Sequence, residues 1–417
     1  MATAADQVSS VLIWSIVAAA IAGILFRPKD WPEAVWACLG AFLLVITGLL
    51  PVSRAGIAIA KGTDVYLFLT GMMLLSELAR RNGVFDWLAA HAVAAAKGSC
   101  TRLFSLIYIV GVVVTVFLSN DATAVVLTPA VYAAVQKART KALPYLFVCA
   151  FIANAGSFVL PISNPANLVV YGRNIPPLIP WLKTFLLPSV VSIVATYLAL
   201  RWLFRKELTG QVEDGTAPGR LSREGRLAAW GILGTGAILI AVSGFGLDLG
   251  LPTCIAATIA VLVASREVKE ILKGVSWSVL PLVAGLFVLV EALDRAGALH
   301  NVGSLLSRCS TLPPLAGSLA ASFGIAGLSN LMNNLPSGLL AGGALKTVQV
   351  HPFIRDAVLI GVDLGPNLSV TGSLATVLWL IALRREGEQI SGWKFLKVGL
   401  IVMPPALFLA TIALSRS

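Results

Sequence analysis

Long apolar stretches separated by short polar connections follow one another along the whole of this 417-residue chain. A helix needs about 20 mostly apolar residues to cross the hydrocarbon core of a bilayer. The pattern therefore predicts about ten membrane-spanning helices. Their soft boundaries are residues 10–26, 34–50, 64–81, 144–172, 178–204, 227–243, 249–264, 278–294, 353–383 and 395–414.

Two further apolar stretches, residues 102–136 and 312–345, have polar centres. In the first of them Ser119, Asn120 and Asp121 interrupt two apolar runs. An Asp at membrane depth is costly, and irregular backbone is tolerated there only where protein or a water-filled cavity shields it. We therefore predict that each stretch forms a re-entrant hairpin.

The composition agrees with this pattern. Hydrophobic residues make up 57% of the chain and charged residues 12%, and the mean hydropathy is +0.87, which excludes a soluble protein. The net charge of +11 does not indicate a nucleic-acid partner, because the basic residues lie at helix ends. The fold class is an all-α polytopic membrane protein in the lipid bilayer.

The chain divides into two similar halves at a hydrophilic connection, residues 207–226. Gly71, Glu77 and Gly83 recur as Gly285, Glu291 and Gly297, and two other motifs recur at nearly the same offset of about 210 residues. Such duplication is typical of secondary transporters. We predict a first repeat at 1–206 and a second at 227–417, each with five crossings and one hairpin. Because five is odd, the repeats would be inverted.

Lys and Arg residues collect on the face that carries the linker, which the positive-inside rule makes cytoplasmic. Both termini are then external, and the location is the plasma (inner) membrane. Trp181 and Trp393 are predicted interfacial anchors. Glu77 is expected to pair with Arg80 or Arg81, and Glu291 with Arg295, at helical spacing.

Four polar breaks interrupt the apolar pattern, two in the hairpins and two in the long segments 144–172 and 353–383. Broken helices that meet near the bilayer midplane are the expected architecture of a transport site. The predicted substrate-binding residues are Ser119, Asn120, Thr123, Asn154, Ser163, Asn164, Asn167, Ser329, Asn330, Asn333, Asn334, Asn367, Thr371 and Ser373.

The breaks contain no Lys or Arg, so a highly charged anion would find counter-charge only at helix N-termini. Amides and hydroxyls both donate and accept hydrogen bonds, which suits a small neutral polyhydroxy solute or a desolvated cation. Asp121 and Asp363 are the predicted carriers of coupling protons or cations. The dispersed Cys and His residues predict neither a metal site nor a cofactor.

Four segments carry a resemblance to a known family: FLSNDATAVVLTP from Phe117, NAGSFVLPISNPAN from Asn154, GLSNLMNNLP from Gly327 and GVDLGPNLSVTGS from Gly361. They resemble the signature segments of the arsenite efflux permeases, the arsenical pump membrane proteins of the ion transporter superfamily. The resemblance implies electrophoretic or proton-antiport export of arsenite and antimonite. It also implies hairpin tips that meet broken helices, and in some members a cytoplasmic pump ATPase as partner.

We therefore predict a secondary active transporter that exports arsenite and antimonite, with protons moving in exchange. The alternative is a Na⁺/H⁺ antiporter or another carrier of small solutes or anions from the same superfamily. An ATP-driven primary pump is disfavoured because the chain has no G-x-x-x-x-G-K-[ST] loop. An enzyme is not predicted, since no Ser or Cys has a His at a persuasive spacing.

Overall fold

The computed structural model describes residues 4–213 and 219–416, and residues 214–218 of the predicted linker lie outside them. Within the described residues the chain forms α-helices joined by turns and short 3₁₀ or π segments. The helices of the first half are α1 (Ala4–Phe26), α2 (Glu33–Ile46), α3 (Val52–Lys61), α4 (Thr63–Arg81), α5 (Val84–Ala96), α6 (Cys100–Phe117), α7 (Thr128–Lys137), α8 (Leu143–Ala155), α9 (Pro165–Tyr171) and α10 (Leu178–Leu203).

The helices of the second half follow in a parallel order. They are α11 (Arg223–Gly244), α12 (Gly250–Ala264), α13 (Val268–Gly274), α14 (Val279–Arg295), α15 (Ala298–Ser310), α16 (Pro314–Met332), α17 (Asn334–Thr347), α18 (Pro352–Leu364), α19 (Leu374–Arg385) and α20 (Gly392–Leu414).

Six described helices are long and apolar enough to cross a membrane, namely α1, α6, α10, α11, α16 and α20. The pairs α3–α4 and α13–α14 also qualify if each is one span bent by 48° or 42°. The predicted class, an all-helical polytopic membrane protein, is confirmed. The count of ten crossings and the opposite orientation of the halves stay predictions.

The hairpin arms show where apolar length misleads. Helices α6 and α16 were predicted as hairpin arms, yet with 18 and 19 residues they are as long as a crossing helix. Their length alone therefore does not separate an arm that stops inside the membrane from a complete span.

The two long segments with polar centres are broken, as predicted. Helix α8 ends at Ala155, and the chain passes through one 3₁₀ turn at Pro161–Ser163 before α9 begins at Pro165. In the second half two 3₁₀ turns separate α18 from α19. Proline explains the breaks in part, because it lacks the N–H donor and clashes with the preceding turn.

Helices from one half of the chain pack against helices from the other half. Helix α4 packs on α12 and α2 packs on α14, so the early helices of each half contact those of the other. Helix α10 packs along α20, and the hairpin arms α6 and α16 pack on the broken helices α8 and α18. The polar breaks consequently lie between the halves and inside the packed core.

The predicted ion-pair partner is correct for one buried glutamate and wrong for the other. Glu77 accepts a hydrogen bond of 2.6 Å from Arg80 on its own helix, as expected. Glu291 instead pairs with Lys61 of α3 at 2.8 Å, while Arg295 donates to a backbone carbonyl of the loop before α3. The expectation for Glu291 was wrong because local helical spacing does not reveal a partner from the other half.

The two tryptophans predicted as interfacial anchors differ in their exposure. Trp393 is 63% exposed, as an interfacial residue should be. Trp181 is fully buried, and its indole N–H donates to the Phe158 carbonyl at 3.2 Å. The ring packs against Phe185 and Tyr171. Trp181 therefore fills the core beside the first broken helix instead of anchoring the chain at the bilayer surface.

Candidate transport site

Two amide hydrogen bonds join the broken helices of the two halves. The Asn154 amide donates to the side-chain oxygen of Asn367 at 3.0 Å, and the Asn164 amide donates to Asp363 Oδ1 at 2.8 Å. All four side chains are buried. A buried polar group is tolerated when it is hydrogen-bonded, so these pairs fix the two breaks against each other.

Local capping explains why the chain restarts as helix after each break. The Asn164 side chain accepts from the backbone N–H of Ala166 at 3.0 Å and caps α9. The Ser373 hydroxyl accepts from the N–H of Ala375 at 3.2 Å and caps α19. Capping oxygens satisfy N–H groups that the first helical turn leaves unpaired. Both helices thus begin beside the breaks with the positive end of their dipoles.

Some buried oxygens at the breaks lack a hydrogen-bond donor among the described residues. These oxygens are Asp363 Oδ2 and the side-chain oxygens of Asn154 and Asn167. The Asn167 amide itself is engaged, because it donates to the Ser157 carbonyl at 3.0 Å and to two further carbonyls of the break. Unsatisfied buried acceptors are rare and costly. These oxygens therefore keep unused capacity to accept a hydrogen bond at the junction.

The first hairpin tip is closed by its own side chains. The Ser119 hydroxyl accepts from the N–H of Ala122 at 3.1 Å, and the Asn120 oxygen accepts from the N–H of Asp121 at 2.9 Å. Asp121 itself is half-buried, and its carboxylate forms no hydrogen bond or ion pair within the described parts of the chain. This leaves a carboxylate free at the tip.

The first hairpin is tied to the first break. Ser163, within the break, donates its hydroxyl to the Val116 carbonyl at 3.0 Å and accepts from the Leu160 N–H at 3.3 Å. One buried hydroxyl thus bridges the end of α6 and the turn before α9. The predicted binding role for Ser163 stays a prediction, and the geometry gives this hydroxyl a bridging position.

Asn330 holds the second hairpin against the second break. Its amide donates to the Gly365 carbonyl at 2.9 Å, and its side-chain oxygen accepts from the Ser369 hydroxyl at 2.6 Å. The Thr371 hydroxyl donates to the Asn330 carbonyl at 2.9 Å. These contacts bring together two of the predicted residues, Asn330 and Thr371, and add Ser369.

The turn of the second hairpin lies after these residues, at Asn333. Its backbone has φ 79° and ψ 155°, a conformation that residues other than glycine rarely adopt. Its side-chain oxygen accepts a hydrogen bond from the Leu335 N–H at 3.4 Å. Asn334 is buried and begins α17. Ser329 lies in the last turn of α16, whereas Ser119 follows the end of α6. The matching Leu-Ser-Asn tripeptides therefore do not occupy equivalent positions.

Two hydroxyl pairs were missed from the sequence. Thr115 and Thr123 share a hydrogen bond of 2.8 Å, and Ser329 and Ser337 share one of 2.7 Å. Both pairs are buried, and each joins the two arms of one hairpin across eight residues. The signal was a hydroxyl residue on each side of both tips at this common spacing.

The structure brings some predicted residues together and leaves others apart. Asn154 with Asn367 and Asn164 with Asp363 form two buried pairs across the two breaks. In the described residues no hydrogen bond or ion pair joins the first hairpin tip to the second, and none joins Asp121 to Asp363. The meeting of the tips remains a prediction.

The fold is similar to that of a solved transporter. The crystal structure of the YdaH transporter of Alcanivorax borkumensis matches with a TM-score of 0.55 at 15% sequence identity. The match covers 92% of this chain and 96% of that protein. This likeness identifies the overall fold.

Sequence comparison identifies the family. The family described as citrate transporter (CitMHS) matches residues 12–361, most of the length of the chain. The chain belongs to the citrate transporter family. This member of the citrate transporter family is accordingly a multi-pass inner-membrane transporter and not an enzyme.

Curated relatives of this citrate transporter family member confirm the predicted resemblance. The arsenical pump membrane protein of Escherichia coli (strain K12) is 27% identical over 428 residues, covering 97% of this chain and 98% of the relative. The arsenical pump membrane protein of Yersinia enterocolitica is 26% identical over 411 residues, covering 94% of this chain and 95% of the relative. The similarity therefore extends over nearly the full length.

Proposed function

We propose that this transporter exports arsenite and antimonite from the cytoplasm in exchange for protons. The observation that carries the proposal is the buried junction of the two broken helices, where Asn154 bonds Asn367 and Asn164 bonds Asp363. Its oxygens include acceptors without a described donor, and its sequence segments contain no Lys or Arg. The relatives named arsenical pump membrane proteins support the same substrate class.

The chemistry of the solute fits these groups. Arsenite near neutral pH is mostly the uncharged trihydroxide, a compact solute with three hydroxyls. Amide and hydroxyl side chains can donate to and accept from such hydroxyls. The residues proposed to hold it are those predicted above, with Asn154, Asn164, Asn167 and Asn367 at the junction and Asn120 and Asn330 near the hairpin tips.

A carboxylate substrate such as citrate suits this junction less well. The N-termini of α9 and α19 would provide partial positive charge. The four breaks, however, contain no basic side chain that could balance the full charge of a carboxylate. In their ionised form Asp121 and Asp363 would repel an anion. The description of the family as citrate transporter therefore does not set the substrate of this member.

Proton coupling is proposed for the two carboxyl groups. A charged Asp at membrane depth is expensive, and a proton removes that charge. Asp363 is fully buried with Oδ2 unpaired in the described structure, and Asp121 lies at the first tip without a partner. Protonation of Asp363 would change the acceptors available to a bound solute. Proton and arsenite would consequently compete for the junction.

We also propose the architecture that this cycle needs. The chain crosses the membrane ten times in two inverted repeats, 1–206 and 227–417, each with a re-entrant hairpin. The linker 207–226 is cytoplasmic and both termini are external. A pump ATPase, where one is present, would bind the cytoplasmic face. The parallel order of α1–α10 and α11–α20 supports the duplication.

Transport by reconstituted Asp121→Asn and Asp363→Asn variants tests the proposal. Asn keeps the shape and hydrogen bonding but cannot be ionised, so arsenite counterflow should persist while export driven by a pH gradient is lost. Asp248→Asn, in the exposed loop before α12, is the matched control and should transport normally. If both site variants keep full pH-driven export, neither Asp carries the proton.

The alternative function is Na⁺/H⁺ exchange. Asp363 Oδ2 and the side-chain oxygen of Asn154 are both acceptors without a described donor, and oxygen ligands of this kind suit hard cations. The same vesicles discriminate between the two functions. A sodium gradient that drives proton movement in the absence of arsenite supports the alternative, and arsenite-dependent proton movement supports arsenite export.

A further inference from the structure

Helices α9 and α18 are joined by two hydrogen bonds at matching positions. Asn164 contacts Asp363 at the inner position, and the Tyr171 hydroxyl donates to Asp356 Oδ1 at 2.9 Å at the outer position. Asn164 caps α9 and Tyr171 ends it, and Asp356 and Asp363 both lie on α18, so each two residues are two turns apart, about 10 Å at 1.5 Å per residue. Asp356 and Asp363 therefore lie on one face of α18, opposite one face of α9.

The outer carboxylate lies at the boundary between core and solvent. The Asp356 side chain is 10% exposed, and Arg355 beside it is 47% exposed and donates to Oδ1 at 3.4 Å. Oδ2 of Asp356 makes no hydrogen bond to the described residues. Arg355 also lines an open cleft of about 310 Å³ with residues of the α17–α18 connection. The cleft thus lies beside Arg355, and the exposed 10% of the Asp356 side chain is the part that solvent reaches.

The other charged groups around Asp356 are few. Helix α16, which packs along α18, has no ionisable residue. Helix α17 contributes Lys346, whose Nζ lies close to Gly172, the residue after Tyr171. Helix α15 contributes His300 and Arg308, and neither forms an ion pair with Asp356 in the described structure. Arg355 and the Tyr171 hydroxyl are thus the groups that contact the carboxylate.

We propose that Asp356 is the outer proton-accepting group that supplies Asp363, with Tyr171 as its positioning residue. The inference rests on the proposed function, in which α18 begins at the external face. A hydronium ion at the exposed edge of Asp356 gives its proton to Oδ2 and leaves as water. Asp356 then returns to the carboxylate as the proton passes to Asp363 Oδ2, through water that enters between α9 and α18 when the apolar contact between these helices opens. Tyr171 holds Oδ1 and so keeps Oδ2 directed away from α9.

Asp356→Asn separates this role from a purely structural one. The Asn oxygen still accepts from Tyr171, so the link between α9 and α18 is kept. Export driven by a pH gradient should fall about tenfold or more, since positioned proton-transfer groups contribute rate factors of this order and above. Arsenite counterflow, which moves no net proton, should stay at the wild-type rate. Asp356→Glu should restore part of the driven export.

The controls make each outcome decisive. Asp86→Asn, on the exposed face of α5, should leave both activities unchanged. Infrared difference spectra of the purified protein across a pH step provide a readout that needs no substrate, and a carboxyl band should disappear in Asp356→Asn. Driven export at the wild-type rate, a loss of counterflow together with driven export, or an unchanged carboxyl band would each overturn the inference. Wild-type protein that moves no arsenite would instead overturn the proposed function.

Discussion

Thr115 and Thr123 share a buried hydrogen bond of 2.8 Å that joins the two arms of the first hairpin, and Ser329 and Ser337 repeat this contact in the second. Each pair lies immediately behind the turn of its hairpin. A hydroxyl that bonds its partner across the hairpin has less capacity left for a solute. We infer that these pairs set the position of the tip residues.

We predict that Thr115→Val and Ser329→Ala lower transport without preventing folding. Val matches the shape of Thr but removes the bond between the arms, so the Thr123 hydroxyl keeps only its 3.4 Å bond to the Ser119 carbonyl, and a lost hydrogen bond costs about 0.5–1.5 kcal/mol. The tip residues should then be held less precisely, so initial rates of arsenite counterflow should fall while purified protein remains monodisperse. Rates in proteoliposomes and size-exclusion profiles are the measurements.

A matched control is available in α12. Thr258 is exposed and donates its hydroxyl to the Cys254 carbonyl one turn earlier. Thr258→Val removes the same group from a helix surface and should leave counterflow unchanged. Equal rates for Thr115→Val and Thr258→Val would show that the hairpin pair has no positioning role.

The sequence was sufficient for features that depend on local pattern. Apolar length predicted the helices, and the prolines at Pro161 and Pro366 marked the breaks. It could not predict contacts between distant residues. Asn164 and Asp363 were both identified, but their pairing across the two halves follows from packing. Lys61 was missed as the partner of Glu291 for the same reason.

The sequence also could not show which residues of the two halves occupy the same structural position. The two Leu-Ser-Asn tripeptides are identical, yet Ser119 follows its helix and Ser329 lies inside one. A helix continues or ends according to the neighbours that satisfy its backbone. A match of three identical residues therefore does not locate a hairpin turn. The second turn lies at Asn333, after the tripeptide.

The start of the linker is bound to the base of the first hairpin, which gives a test of sidedness. The Val212 N–H donates to the Gly98 carbonyl at 2.9 Å, and Arg139 pairs with Glu213 at 3.1 Å. The linker and the hairpin base should therefore share one face, which we predict to be cytoplasmic. Gly215 at the centre of the linker lies outside the described residues, so the exposed Arg220 is the better position to label.

A cysteine in place of Arg220, in a background without the five native cysteines, should react with a membrane-impermeant thiol reagent only in inverted vesicles. A cysteine in place of Leu247, which is 60% exposed between α11 and α12, should show the opposite pattern and react in intact cells. Reaction of the Arg220 position in intact cells would reverse the proposed topology.

Close packing of α16 against α18 leads to a prediction about glycine. A Cβ at Gly361 would meet the Ser322 backbone carbonyl, and a Cβ at Gly365 would lie 2.5 Å from the Ala326 Cα. Backbone atoms cannot move aside as a flexible side chain can, and overpacking of a core costs about 1–3 kcal/mol. Gly361→Ala should therefore lower the thermal unfolding temperature in detergent.

Gly327→Ala is the matched control on the partner helix. No atom lies within 4 Å of a Cβ at this position, and Ala in a helix interior is favoured over Gly by up to about 1 kcal/mol. Gly327→Ala should unfold at the wild-type temperature or slightly above it, whereas Gly361→Ala should unfold below it. Because α18 carries Asp363 two residues beyond Gly361, the same overpacking should also displace the carboxylate and slow counterflow. Identical unfolding temperatures for the two variants would mean that α16 and α18 are not in this close contact. The packing of the second hairpin against the second break would then be wrong.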